Sequence, residues 1–182
     1  MTRLSDQDVA ILGLLNEHHH YAYRLEQIIE KRGMRNFIKI EFSSIYYVLK
    51  RLEEKKLVEA KLRKTEGKTS RKVYYITDNG KLAMEEKIKH ILSINQKQIS
   101  SFDLAMANIQ ILNHNEIIEC LESYLKSTDA RIKLLENSIL NQKSNNSSPS
   151  IIALFSRPIA LLKAEKEWVY DFMSLLLTEE TI

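Results

Sequence analysis

The sequence predicts a mainly α-helical protein in two parts. Three helices and a two-stranded hairpin occupy residues 1–80, and a helical, coiled-coil-like domain occupies 81–182. Three observations carry this. The 182 residues include four glycines and two prolines, so few positions favour sharp reversals. Apolar spacing switches from helical to alternating at Val58, and returns to helical at Asp78. From Met84 to Ile109, and again from Ile118 to Ile139, buried-type positions recur at steps of three and four.

The first helix opens at Ser5, which forms a near capping box with Asp8 ahead of Val9, Ile11, Leu12, Leu14 and Leu15. Gly13 inside it costs about 1 kcal/mol against alanine, a cost that close approach of another helix would justify. Glu17 to His20 reads as a turn. The second helix spans about Tyr21 to Arg32, with Ala22, Leu25, Ile28 and Ile29 on one side, and stops at Gly33. A link from Met34 to Phe42 leads to the third helix, capped by Ser43 and running to about Lys56. Its inner stripe is Ile45, Val48, Leu49 and Leu52. Its outer face presents Ser43, Ser44, Tyr47, Lys50, Arg51 and Glu54. Hydroxyls and cations so placed suit base edges and phosphates.

Val58, Ala60 and Leu62 then alternate with polar residues, and Lys72 to Thr77 is rich in strand formers around a polar turn at 65–70. The resulting hairpin carries Lys61, Arg63, Lys64, Lys68, Arg71 and Lys72. A basic hairpin directly after three helices is the order of a winged helix-turn-helix, in which one helix enters the major groove and the wing meets the sugar-phosphate backbone. Charge agrees. Residues 1–90 carry a net +6 and residues 91–182 a net −3, so a polyanionic partner would meet the first half.

Several blocks resemble one family. They are Leu12-Gly13-Leu14-Leu15, Tyr23, the run Tyr46-Tyr47-Val48-Leu49-Lys50-Arg51-Leu52-Glu53, and Arg71 to Gly80 with its Tyr75-Ile76-Thr77 centre. Residues 11–80 resemble the PadR family of bacterial transcriptional regulators. Two departures fall at turns. His20-Tyr21-Ala22-Tyr23 replaces the family's His-Gly-Tyr, and Lys56 stands where a glycine usually follows the recognition helix. The resemblance implies a cytoplasmic, ligand-responsive repressor, bound as a homodimer to double-stranded DNA with two recognition helices about 34 Å apart. Ser43, Ser44, Tyr47 and Arg51 are the expected base or near-base contacts. Lys50 and the six hairpin cations are the expected phosphate contacts. A winged-helix module that binds another protein instead of DNA is the alternative.

In the second half, Ile118, Leu121, Leu125, Thr128, Ile132, Leu135 and Ile139 form a heptad seam. The seam is expected between two subunits, although the same spacing serves packing within one chain. Thr77 suits a cap for the following helix and Tyr46 an inward ring. Pro158 predicts a kink or restart in the last helix. Phe155, Trp168 and Phe172 are candidates for a pocket that takes a small aromatic or hydrophobic effector, or for core. Glu116, Glu119 and Glu122 read as a solvated stripe.

No catalytic or nucleotide-binding fingerprint is present, so neither an enzyme nor a cofactor is expected. His18-His19-His20 cannot share one helix face and reads as a turn rather than a metal site. Cys120 is the single cysteine and has no disulfide partner in the chain. No uncharged apolar run reaches membrane-spanning length.

Overall fold

A computed structural model describes residues 3–63, 70–95 and 100–179, which divide into two compact units at Lys97. In the first unit, α1 (Asp6–Glu17) begins with the expected capping box. The Asp8 amide donates to Ser5 Oγ at 3.2 Å, and the Ser5 amide donates to the Asp8 carboxylate at 2.9 Å. α2 (Ala22–Lys31) ends ahead of Gly33, whose φ of 60° is the left-handed geometry glycine adopts without strain. The link onward includes one 3-10 turn, Met34–Asn36.

α3 (Phe42–Glu54) starts earlier than expected. The extended backbone that defines a cap falls at Glu41, so Ser43 is not the N-cap but sits in the first turn. Beyond its end, Lys56 takes φ 58°. A lysine therefore holds the left-handed position, at a cost of about 1–2 kcal/mol that a glycine would not carry.

Strands β1 (Val58–Arg63) and β2 (Arg71–Ile76) pair antiparallel, from Val58 opposite Ile76 to Arg63 opposite Arg71. A further backbone pairing ties β2 to the turn before α2. His20 N–H donates to the Tyr74 carbonyl at 3.3 Å, and Tyr74 N–H returns to the His20 carbonyl at 2.8 Å. Two strands alone are marginal, and this bridge gives the hairpin a third attachment. α4 (Asp78–Ser93) is capped as expected, with Gly80 N–H on Thr77 Oγ1 at 3.1 Å and the Thr77 hydroxyl on the Lys56 carbonyl at 2.9 Å.

Gly80 is the glycine that packing demands. A Cβ there would lie 2.2 Å from the Leu57 carbonyl oxygen. The close approach expected at Gly13 is absent, since an added Cβ would meet nothing within 4 Å. The core comprises Ile11, Leu12, Leu25, Ile29, Ile45, Val48, Leu49 and Leu52, all without accessible surface. Each contributes roughly 2 kcal/mol by burial. α4 joins this unit, past the boundary read at residue 80, because Ala83 and Met84 pack against the same core.

The second unit contains α5 (Ser101–Met106), a 3-10 turn (Ile109–Ile111), α6 (His114–Ser144) and α7 (Pro149–Glu179). The helical pattern that returns at Asp78 is thus carried by separate helices, with α4 ending at Ser93 and α5 starting from its own cap, Ser100. α6 opens on a capping box between Asn113 and Glu116. That gives Glu116 a structural partner which its place in an acidic stripe did not reveal. α7 runs through Pro158 without a break. Packing on both sides of that position holds it, with Phe155 half-buried and Ile159 buried.

α6 and α7 form an antiparallel hairpin. Leu121 and Leu125 pack with Val169, Lys166 pairs with Asp129, and Lys163 reaches Glu136 at 3.9 Å. The centre of the heptad seam is therefore covered by α7 of the same chain. Leu121, Leu125, Thr128 and Ile132 are buried, and Ile118, Leu135 and Ile139 flank them half-buried. Of the residues expected to face another subunit, Leu121, Leu125 and Ile132 are buried within the single chain, whereas Ile118, Leu135 and Ile139 keep part of their surface open.

Candidate nucleic-acid interface

The four core residues Ile45, Val48, Leu49 and Leu52 fix α3 on one side, which turns Ser43, Tyr47 and Lys50 outward and leaves Ser44 half-exposed. Tyr47 is 65% exposed. Tyr46 is exposed as well, against the inward ring expected for it, and meets Phe42 edge-on at 5.7 Å. Both aromatic rings extend the polar face in a way that the Ile45–Leu52 stripe alone does not reveal. At 1.5 Å per residue α3 is roughly 20 Å long, and a helix of this width fits the major groove.

Arg51 does not stand on that face. It turns to α1, where Nη2 donates to Asp8 Oδ1 at 2.5 Å and to Ser5 Oγ at 3.0 Å, and Nε donates to Asp8 at 3.2 Å. Asp8 is buried to 1% exposure. The hydrogen bonds to Asp8 raise the guanidinium pKa above its already high ordinary value. The outward position expected for Arg51 is thus replaced by an ion pair that braces α3 against α1. The same guanidinium lies 5.3 Å from the Tyr47 ring centroid.

On the wing, Lys61, Arg63, Arg71 and Lys72 are all exposed, while Lys64 and Lys68 lie outside the described residues. Lys72 reaches Glu53 on α3 at 3.1 Å and Lys61 reaches Glu59 at 2.7 Å. Each hydrogen bond raises the ammonium pKa and keeps it charged. Exposed pairs of this kind are weak enough to be exchanged for phosphate oxygens. The Arg71 guanidinium sits over the Tyr21 ring, 5.4 Å from its centroid. Next to it, burial raises the Tyr74 phenol pKa and lowers that of His20. His19 stacks on Tyr75 at 4.8 Å. The histidine run is therefore a junction between turn and wing.

In the second unit, Trp168 stacks on Phe172 at 5.4 Å and meets Phe102 edge-on at 6.1 Å. Phe102 in turn packs on Tyr124 at 4.7 Å. Burial, then a hydrogen bond to Glu165, pushes the Tyr124 pKa up to about 12. Phe155 does not join this cluster. It precedes Trp168 on the same helix by roughly 20 Å of axial rise, so the three expected effector residues cannot line one small pocket within a chain.

Residues 11–86 match the model of the transcriptional regulator PadR-like family. A protein of Lysinibacillus sphaericus, described as uncharacterised, is 33% identical over 89 residues, which cover 49% of this chain and 81% of that protein. The chain belongs to the PadR-like family. The match begins within α1 and takes in all of α2, α3, the wing and the start of α4 of this PadR-like regulator.

Solved structures share the fold over nearly the whole length. Bacillus subtilis PadR in complex with operator DNA superposes with a TM-score of 0.76 at 20% identity, covering 94% of this chain and 99% of that one. The same B. subtilis protein in complex with p-coumaric acid gives 0.73 at 21% identity, covering 93% and 94%. The PadR-like family is a family of transcription regulators and not an enzyme class. Among the described residues, no helix of this regulator is long and apolar enough to cross a membrane.

Proposed function

We propose that this PadR-like regulator is a homodimeric repressor that holds a pseudo-palindromic operator and releases it when a small aromatic or hydrophobic effector binds. One observation carries the DNA reading. The exposed face of α3, with Ser43, Ser44, Tyr47 and Lys50, lies beside a wing whose cations point to solvent, on a frame fixed by a dry core. Ser43, Ser44 and Tyr47 read base edges. Lys50, Lys61, Arg63, Arg71 and Lys72, with Lys64 and Lys68, neutralise phosphates. No catalytic step is assigned to any residue, and the place of action is the cytoplasm.

With the centre of the α6 seam covered by α7, the surface proposed for the dimer is the outer face of α7. Ile152, Phe155, Ile159, Leu162, Val169, Met173 and Leu176 are buried or half-buried. One residue earlier in phase, Leu154, Leu161, Trp168 and Leu175 recur every seven residues and are exposed. A second heptad stripe of this kind suits a second copy of the chain. The Phe102–Tyr124–Trp168–Phe172 cluster borders it and offers stacking faces for an aromatic effector. The fold shared with a B. subtilis protein crystallised with p-coumaric acid supports that chemistry. An effector that prefers a dimer with mis-spaced α3 helices shifts the population away from DNA.

The test is a gel shift of the full chain on duplex from its own promoter region, at two salt concentrations. A retarded complex that weakens steeply with salt supports the reading. A chain that retards no duplex at low salt refutes it.

A further inference from the structure

Between the start of α2, α3 and β2 lies a cavity of about 470 Å³, lined by Tyr21, Ala22, Tyr23, Tyr46, Arg71, Lys72 and Tyr74. Its chemistry is uneven. Tyr23 and Tyr46 are about half exposed, and Tyr74 is only 8% exposed. Of its two cations, Lys72 is engaged by Glu53 at 3.1 Å. Arg71 contacts the Tyr21 ring and has no carboxylate partner among the described residues. Tyr21 is the N-cap of α2 but makes no side-chain bond to the first turn, so its hydroxyl is not consumed in capping. The cavity therefore combines apolar ring faces, phenolic O–H donors and one uncommitted guanidinium.

We infer that this cavity is a cradle for one sugar-phosphate unit of duplex DNA beside the groove that α3 enters. Tyr21 and Tyr46 donate hydrogen bonds to its phosphate oxygens, and Arg71 supplies the charge. The inference rests on the DNA-binding reading above and adds a site to it. Four arguments support this occupant. A phosphodiester is the anion that a guanidinium and phenol donors hold together. The tyrosine rings offer the deoxyribose an apolar wall. The volume exceeds what a bare phosphate needs. The position, between recognition helix and wing, is where the backbone of a groove-bound duplex runs. The cradle carries no sequence information, so it sets register and grip while Ser43, Ser44 and Tyr47 discriminate.

The experiment measures affinity of the full chain by fluorescence anisotropy on two duplexes at several salt concentrations. One duplex is of random sequence, and the other is selected from a random pool for tight binding. Tyr21→Phe and Tyr46→Phe should each weaken both duplexes by about tenfold, the loss of one charge-assisted hydrogen bond. Neither should change the slope of log K against log salt, because a phenol carries no charge. Arg71→Ala should flatten that slope by about 0.9. In the Arg71→Ala background, Tyr21→Phe should cost clearly less than tenfold, because both act on one phosphate.

Unchanged affinity of both tyrosine variants, with wild type binding, overturns the cradle alone. So does loss confined to the selected duplex, which would make these residues base readers. A wild-type chain that binds neither duplex overturns the DNA reading and the cradle with it.

Discussion

Removing the guanidinium that braces the recognition helix should unfold far more than one contact's worth of structure. Asp8 is 1% exposed, and its carboxylate accepts from the Ser5 amide at 2.9 Å and from Arg51 at 2.5 and 3.2 Å. Arg51→Met leaves that carboxylate buried with an amide but no cation, a loss of about 3–5 kcal/mol. For a unit of this size each kcal/mol moves the midpoint by about 4–8 °C, so the melting temperature should fall by roughly 12 °C or more. Asp8→Leu alone should cost about 3 kcal/mol, because it strands Arg51 and deletes half of the capping box. The double variant Asp8→Leu/Arg51→Met should recover most of the loss, since an apolar pair of similar volume replaces an ion pair. Urea denaturation followed by circular dichroism gives the coupling energy. Single variants that each cost under about 1 kcal/mol, and add in the double, would refute the brace. DNA supplies a second arm. If Arg51 holds α3 and touches no phosphate, the charge-removing Arg51→Met should leave the salt slope unchanged under conditions where the variant is folded, whereas loss of a phosphate contact would flatten it by about 0.9.

Gly80→Ala should destabilise by about 2 kcal/mol or more, because the new methyl would overlap the Leu57 carbonyl at 2.2 Å; a midpoint within about 3 °C of wild type would contradict it. Burial, followed by His18 and Arg24, lowers the His20 pKa from its ordinary 6.5. The unfolded chain therefore binds that proton more readily, and the stability from neutral His20 is complete above 6.5 and lost as pH falls through the lower folded value. The melting temperature should drop between about pH 7.5 and pH 5.5 by less in His20→Gln than in wild type. Leu125→Asp should lower the helical signal by opening the α6–α7 hairpin, whereas Leu161→Asp should keep that signal and sediment as a monomer. Equal helicity in both would place the two leucines in the same environment.

Most of the first unit was legible because its determinants are local. The Ser5–Asp8 capping box, the Ile45–Leu52 stripe, the alternation that starts at Val58 and the Thr77 cap each depend on residues within a turn or two. Arg51 was misplaced for the opposite reason. Its partner, Asp8, lies 43 residues away in the chain, and a helical wheel assigns Arg51 to the solvent side without knowing what that side meets. Glu41 and Ser43 show a finer limit. Composition favours the serine as a cap, but backbone geometry places the cap where the extended link ends. In the second unit, steps of three and four on α6 are the same whether the partner helix comes from this chain or another. Only the distance between α6 and α7 decides, and no period encodes it. The cavity beside the wing was hidden for a related reason, since Tyr21, Tyr46, Arg71 and Tyr74 belong to three separate elements.

The bridge between His20 and Tyr74 runs entirely through backbone groups, one N–H and one carbonyl from each residue. Its existence therefore places almost no demand on which side chains stand there. Position 20 can drift to nearly any residue and keep the wing moored to the turn, and proline, which has no N–H to give, is the one substitution that would cut the tether. The side chains at the surface of this joint can therefore change without loosening it, because the joint is made of main chain alone.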